Sequence, residues 1–205
     1  MRVLVVVNPN ATSTSRRTRD LLLAALAGAA DVTIAQTTHR DHAAELAEQS
    51  LGDGIDAVVA YGGDGTVNEV VNGLLARGPS SSTPLLGVLP GGSANVFARN
   101  LGLPREPVDA AARLLRALRH PERARRVGLG QANERWFTFN AGLGFDADTV
   151  LAVENARHPD ELPGPHAGGQ GSLGTKHRGH AAMLHRRHRI SVGGTHLDYP
   201  PGVRV

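Results

Sequence analysis

Tyr61-Gly62-Gly63-Asp64-Gly65-Thr66-Val67-Asn68-Glu69-Val70-Val71-Asn72-Gly73 decides the fold. The apolar run Ala57-Val58-Val59-Ala60 leads into it and reads as a buried strand. On the far side Val67, Val70, Val71, Leu74 and Leu75 recur at helical spacing, so one helical face packs on a sheet. The turn between holds three glycines around one carboxylate. Glycine permits close backbone approach, which lets N–H groups gather around an anion. Thr66, followed three residues later by Glu69, reads as a capping box and places the helix start there. A strand, a glycine turn and an outward helix N-terminus together form a ready phosphate site. The same residues also suit an ordinary βα turn, with Asp64 as its turn-forming side chain.

Outward from this stretch, strands and helices alternate. Arg2–Val7 is a β-branched run typical of a strand buried on both faces. A hydroxyl-rich loop from Asn8 follows, then a helix over 16–30 with Leu22, Leu26 and Ala29 on one side. Asp31–Ala35 is a second strand; the loop from Thr37 leads to a helix with Ala43, Leu46, Ala47 and Leu51 inward. Leu85–Leu89 is a fourth strand, and Pro90-Gly91-Gly92-Ser93-Ala94-Asn95 repeats the strand–glycine–helix logic. A short helix over 95–101 and a longer one over 107–120 come next, the latter burying Val108, Ala111, Leu115 and Leu118 and carrying a solvated arginine face. Val127–Gly130 and Trp136–Asn140 read as strands. This rhythm means α/β layers on a mainly parallel sheet. In such sheets ligands bind beyond the strand C-termini, where the loops from Asn8, Thr37, Gly62 and Pro90 gather.

The chain has 205 residues, 40% of them hydrophobic, enough for one core and part of another. Without cysteine there is no disulfide, thiolate metal site or cysteine nucleophile. No apolar run approaches the roughly 20 residues of a membrane span. The first 150 residues carry 15 Arg against 9 Asp and 6 Glu, so the net +3 comes from residues 151–205. The basic balance therefore argues little for nucleic acid. From about residue 155 glycine, proline and histidine dominate. Seven of ten histidines fall there, irregularly spaced and without acidic partners, and apolar periodicity fades. That tail reads as poorly folded, not as a metal site.

The motifs together resemble the bacterial lipid kinase family built on the diacylglycerol kinase catalytic domain. Gly62–Gly73 is similar to its nucleotide signature almost residue for residue. The resemblance extends over roughly residues 2–155 and implies a nucleotide-binding α/β domain of the NAD kinase/diacylglycerol kinase type over 1–130. Residues 131–155 would open an incomplete β-rich second domain, and 156–205 would be a disordered tail. It implies ATP contacts at Asn8, Pro9, Asn10, Ala11, Thr12, Thr37, Gly62, Gly63, Asp64, Gly65, Thr66, Val67, Asn68 and Ser93. Thr12 and Asp41 stand where the family usually has glycine. Asn140–Ala147 resembles the family's Asn-x-x-Gly-x-Gly-x-Asp-Ala segment, and Asp146 is a fallback base, though a turn role fits it better.

The implied activity is ATP-dependent transfer of the γ-phosphate to a diacylglycerol-like hydroxyl, a step of phospholipid biosynthesis. The cofactor is Mg²⁺, and the setting is cytoplasmic with transient contact at the inner membrane face. Glycine turns without a following lysine exclude a Walker A motif, so backbone N–H groups must clamp the phosphates. A carboxylate repels phosphate, so Asp64 is assigned to Mg²⁺ through water, as catalytic and metal residue. Two departures weaken the family's metal network: Val96 and Gly128 replace its usual aspartates. The family's acidic base in an Asp-Gly-Glu context has no counterpart here. The expectation is a truncated or frame-shifted member that binds ATP–Mg weakly and phosphorylates little. The alternatives are a non-catalytic nucleotide-binding remnant, or a kinase for NAD or a sphingoid base.

Overall fold

The computed structural model describes residues 1–11, 16–28, 30–132, 134–139, 190–192, 195–198 and 203–205. They fall into two compact units, Met1–Gly128 with Pro201–Val205, and Leu129–Pro200.

The first unit is a four-stranded parallel sheet in the order β2-β1-β3-β4. Its strands are β1 (Arg2–Val7), β2 (Asp31–Gln36), β3 (Ala57–Gly62) and β4 (Leu85–Pro90). The helices are α1 (Arg16–Ala27), α2 (His42–Gln49), α3 (Asp64–Leu74), α4 (Val96–Asn100) and α5 (Pro107–Leu118). β1 and β3 are buried at nearly every position, as their continuous β-branched runs require. Alternate residues Val3, Val5, Val7, Val59 and Tyr61 join Leu22 of α1 and Leu114 of α5 in one core. The opposite face, by the same alternation, receives α2 and α3. Gly73 is where α2 and α3 close up: a Cβ there would run into the carbonyl oxygen of Ala44. β1 stands beside both β2 and β3, so the chain departs in opposite directions after β1 and after β3. That reversal is the topological switch point where open α/β sheets bind ligands.

Three expectations need correction. The α3 helix begins at Asp64, with Gly63 as its N-cap and no side-chain cap, so Thr66 lies inside the helix. The capping box fails because Glu69 is spent elsewhere: its Oε2 accepts the N–H of Ala43 at the start of α2. On α5 the buried face is Ala110, Ala111 and Leu114, while Val108 is 63% exposed. Val127 does not open a strand with Gly130. It donates its N–H to the carbonyl of Val203 instead.

That last pairing closes the sheet. Arg125 and Val205 exchange N–H···O bonds, and Leu86 of β4 donates to the Arg204 carbonyl at 2.8 Å. Residues 203–205 thus lie along the outer side of β4, with Val203 1% exposed. The second unit holds an antiparallel sheet in the order β6-β5-β8-β7. Its strands are β5 (Gly130–Ala132), β6 (Arg135–Phe137), β7 (Ile190–Val192) and β8 (Thr195–Asp198). Two of these strands occur in the stretch read as a poorly folded tail. The Asn140–Ala147 segment, with Asp146, lies outside the described residues.

Candidate functional site

Two glycine turns meet at the C-terminal ends of β3 and β4. The pairing of Gly62 with Pro90 sets their height, and the Gly91 N–H donates to the Gly62 carbonyl at 2.9 Å. A Cβ on Gly92 would lie 2.6 Å from the Gly63 Cα, so backbone meets backbone with no side chain able to yield. A Cβ on Gly62 would lie 2.5 Å from Thr66 Oγ1. These glycines are required by close approach. Asn95 adopts φ 47, a left-handed conformation that asparagine tolerates better than most residues. Its side chain folds back on Gly92, accepting that N–H at 2.9 Å and donating to that carbonyl at 2.5 Å.

Asp64 ties the two turns together. One carboxylate oxygen accepts the N–H of Val96 and the other that of Phe97, each at 3.0 Å. These are the first N–H groups of α4, which have no acceptor within their own helix. A negative group there also meets the positive end of the helix dipole. Asp64 is 9% exposed, so the two bonds compensate much of its desolvation. At the other end of α4, Arg125 donates to the Leu101 carbonyl at 2.9 Å and Arg113 to that of Gly102 at 2.8 Å. The five-residue helix is held at both ends by side chains from elsewhere.

The remaining wall comes from β1. Asn8 donates its backbone N–H to Tyr61 and its Nδ2 to Thr66 Oγ1 at 3.2 Å, and its Oδ1 takes the Asn10 N–H. Ala11 reaches Gly91, where an added Cβ would lie 3.2 Å from its own. The structure therefore brings together Asn8, Ala11, Gly62, Gly63, Asp64, Thr66 and the Gly91–Asn95 turn. Pro9 and Asn10 are exposed beside them, and Ser93 is exposed on its turn. Gly65 is half-buried in the first turn of α3. Val67 and Asn68 turn inward, at 2% and 3% exposure, and the Val67 N–H is taken by the Gly63 carbonyl. Thr37 stands one strand away, on the loop after β2, its N–H donated to Val7. Thr12 lies outside the described residues.

The cradle supplies donors in place of cationic side chains. The N–H groups of Asp64, Gly65 and Thr66 have no intrahelical acceptor, and no side chain caps them. They suit an anion at the head of α3, which has 11 residues and a dipole of matching sign. Each Asp64 oxygen, after accepting one N–H, keeps a lone pair that a water can address. That fits a hydrated cation held through water and leaves little room for a direct ligand. Beside Ser93 a cleft of about 350 Å³ opens, lined by Asn95, Arg99, Leu103 and Arg105 among others. Sequence reasoning missed the Asp64–α4 clasp and the arginines that close α4. Both are tertiary contacts, with no local pattern to announce them.

These features define an α/β domain with a glycine-lined cradle of backbone donors at its topological switch point. The sequence profile of the diacylglycerol kinase catalytic domain matches residues 2–127, more than half of the chain, and the chain belongs to that family. A protein named "Probable lipid kinase YegS-like" from Chromohalobacter salexigens is 48% identical over 102 residues, covering 50% of this chain and 31% of that protein. "Diacylglycerol kinase" of Bacillus subtilis is 41% identical over 109 residues, 53% of this chain and 33% of its own. A crystal structure of a diacylglycerol kinase from Bacillus anthracis superposes with a TM-score of 0.58 at 32% identity. That match covers 66% of this chain and 49% of the other. The chain spans about a third of the length of the two named sequence relatives. Among the described residues no helix is long and apolar enough to cross a membrane.

Proposed function

We propose that the first unit is the donor half of an ATP-dependent lipid kinase that passes the γ-phosphate to a diacylglycerol-like hydroxyl. The observation that carries this reading is the uncapped first turn of α3, opening between two interlocked glycine turns. Phosphoryl transfer depends mostly on positioning and charge neutralisation, which backbone donors can provide without a Walker A lysine. Asn8, through Thr66, and Asp64, through α4, hold that turn in place. Mg²⁺, where bound, would neutralise phosphate charge, with Asp64 reaching it through water. Contact with a lipid acceptor implies a transient approach of this chain to a membrane surface from the cytoplasmic side.

Among the residues at the cradle, Asp64 is the sole described carboxylate, and both its oxygens already accept N–H groups. The proton of the acceptor hydroxyl must therefore go to a base outside these residues. Donor binding and turnover then separate, and calorimetry with ATP and Mg²⁺ tests the first. Saturable ATP binding is expected, and its absence overturns the donor assignment. Radiolabelled ATP offered with diacylglycerol, a sphingoid base or NAD tests the second. Label in NAD or the sphingoid base, with none in diacylglycerol, overturns the acceptor assignment.

A further inference from the structure

We propose that His39, His42 and Glu45 form a binding site for a divalent transition-metal ion, Zn²⁺ being the best match, on the loop that follows β2. The site is separate in chemistry from the Mg²⁺ assigned to the phosphate cradle. Asp41, at φ 64, turns the chain sharply at the head of α2. His39 is thereby laid over His42, with ring centroids 4.5 Å apart and planes within 10°. Glu45 follows His42 by three residues, on the same side of the helix. One ligand atom from each of the three lies within 4.8 Å of the others.

The protonation pattern prepares His39. Its Nδ1 stands 2.8 Å from the Arg40 carbonyl oxygen and can bond there only as a donor. Nε2 is then the nitrogen with the free lone pair, and it lies 3.9 Å from Glu45 Oε2. A backbone carbonyl on the far nitrogen is the usual support of a metal-ligating imidazole. His42 is set the other way: its Nδ1 accepts the Thr38 N–H at 3.1 Å, which leaves the proton on Nε2. The Thr38 hydroxyl is also 3.0 Å from Nδ1. Metal on Nε2 moves that proton to Nδ1, which then donates to the hydroxyl, while the exposed Thr38 N–H turns to water. Ligation at about 2.0–2.1 Å also needs the stacked nitrogens to converge, chiefly by a rotation of the exposed His39 against the half-buried His42. His39 is the sole ion-pair partner of Glu45 among the described residues, so no guanidinium competes for the carboxylate.

Two imidazoles and one carboxylate favour zinc over magnesium or calcium and leave a coordination position for water. The ion would brace residues 38–45, next to Thr37.

The test is Zn²⁺ titration of the EDTA-stripped 205-residue protein, read by ¹H–¹⁵N spectra of the imidazole nitrogens. Seven other histidines lie between residues 158 and 196, so stoichiometry alone does not locate the ion. His39→Gln and His42→Gln assign the resonances, and circular dichroism checks their fold. The first equivalent of Zn²⁺ should shift His39 Nε2 and convert His42 from the Nε2–H to the Nδ1–H tautomer. Affinity should fall about tenfold or more in His39→Gln and in Glu45→Gln. Shifts confined to the histidines at 158–196, or equal affinity in His39→Gln/His42→Gln, would overturn the site.

Discussion

At the scale of single residues, the two roles of Asp64 can be pulled apart. Asparagine at 64 keeps the size but has one carbonyl oxygen, so it can accept from Val96 or Phe97 and must turn an NH₂ toward the other. Asp64→Asn should therefore lower stability by about 1–3 kcal/mol, the usual cost of leaving a buried donor unpaired. Thermal unfolding without nucleotide or metal measures this. If Asp64 served the cation alone, the variant would unfold at the wild-type temperature in EDTA. The clasp predicts a lower midpoint there, together with weaker ATP binding when Mg²⁺ is absent. Gly92→Ala tests the cradle from the other side. Its new Cβ meets the Gly63 Cα at 2.6 Å, and the turns must part to admit it. ATP affinity should drop about tenfold or more while the sheet survives, because overpacking at one turn costs about 1–3 kcal/mol. Calorimetry showing unchanged ATP affinity in Gly92→Ala would place the phosphates elsewhere.

At the scale of elements, α3 organises its neighbours through its acids. Asp64 serves the N-terminus of α4 and Glu69 that of α2, where its Oε2 takes the Ala43 N–H at 3.3 Å. Glu69→Ala removes that acceptor and should cost about 1 kcal/mol, the usual worth of a helix cap. Faster amide exchange in the first turn of α2 than in α5 would show the loss to be local. The same pair of acids marks the limit of what the chain shows on paper. Periodicity revealed α3 itself, since Val67, Val70, Val71 and Leu74 face one way and all became core. It also revealed the four parallel strands, because β-branched runs such as Val3–Val7 can be little else. Glu69 three residues after Thr66 resembled a local cap because local spacing is all that one sequence displays. The true partners lie 26 residues away for Glu69 and about 32 for Asp64. On α5 the expected face missed Ala110 and Leu114, since a helix rich in alanine has no sharp apolar edge to read. The glycine turns, by contrast, were legible as places of close backbone approach, which leaves few other residues possible.

At the scale of the whole molecule, the first unit is completed by residues distant in sequence. The β4 strand would be an open edge, presenting a row of unpaired backbone groups, if residues 203–205 did not lie along it. The sequence alone leaves the tail over 156–205 without structure. It could not foresee that Val203-Arg204-Val205 returns, because three residues carry no periodicity. The return is held by the Leu86 N–H on the Arg204 carbonyl, by the Arg125–Val205 exchange, and by Val203 packed at 1% exposure. Val203→Asp puts an unpaired carboxylate where that side chain is buried, which disfavours the bound position of the segment. Two effects should follow together. The unfolding midpoint should fall by an amount equivalent to about 2–4 kcal/mol, as for other buried-charge substitutions. The uncovered β4 edge should then promote association, read as a concentration-dependent rise in light scattering that the parent chain lacks. An exposed control on α2, Gln49→Glu, adds the same charge away from β4 and should do neither. If Val203→Asp lowered the midpoint but stayed monodisperse at high concentration, segment 203–205 would be packing for the core and not a cover for the sheet.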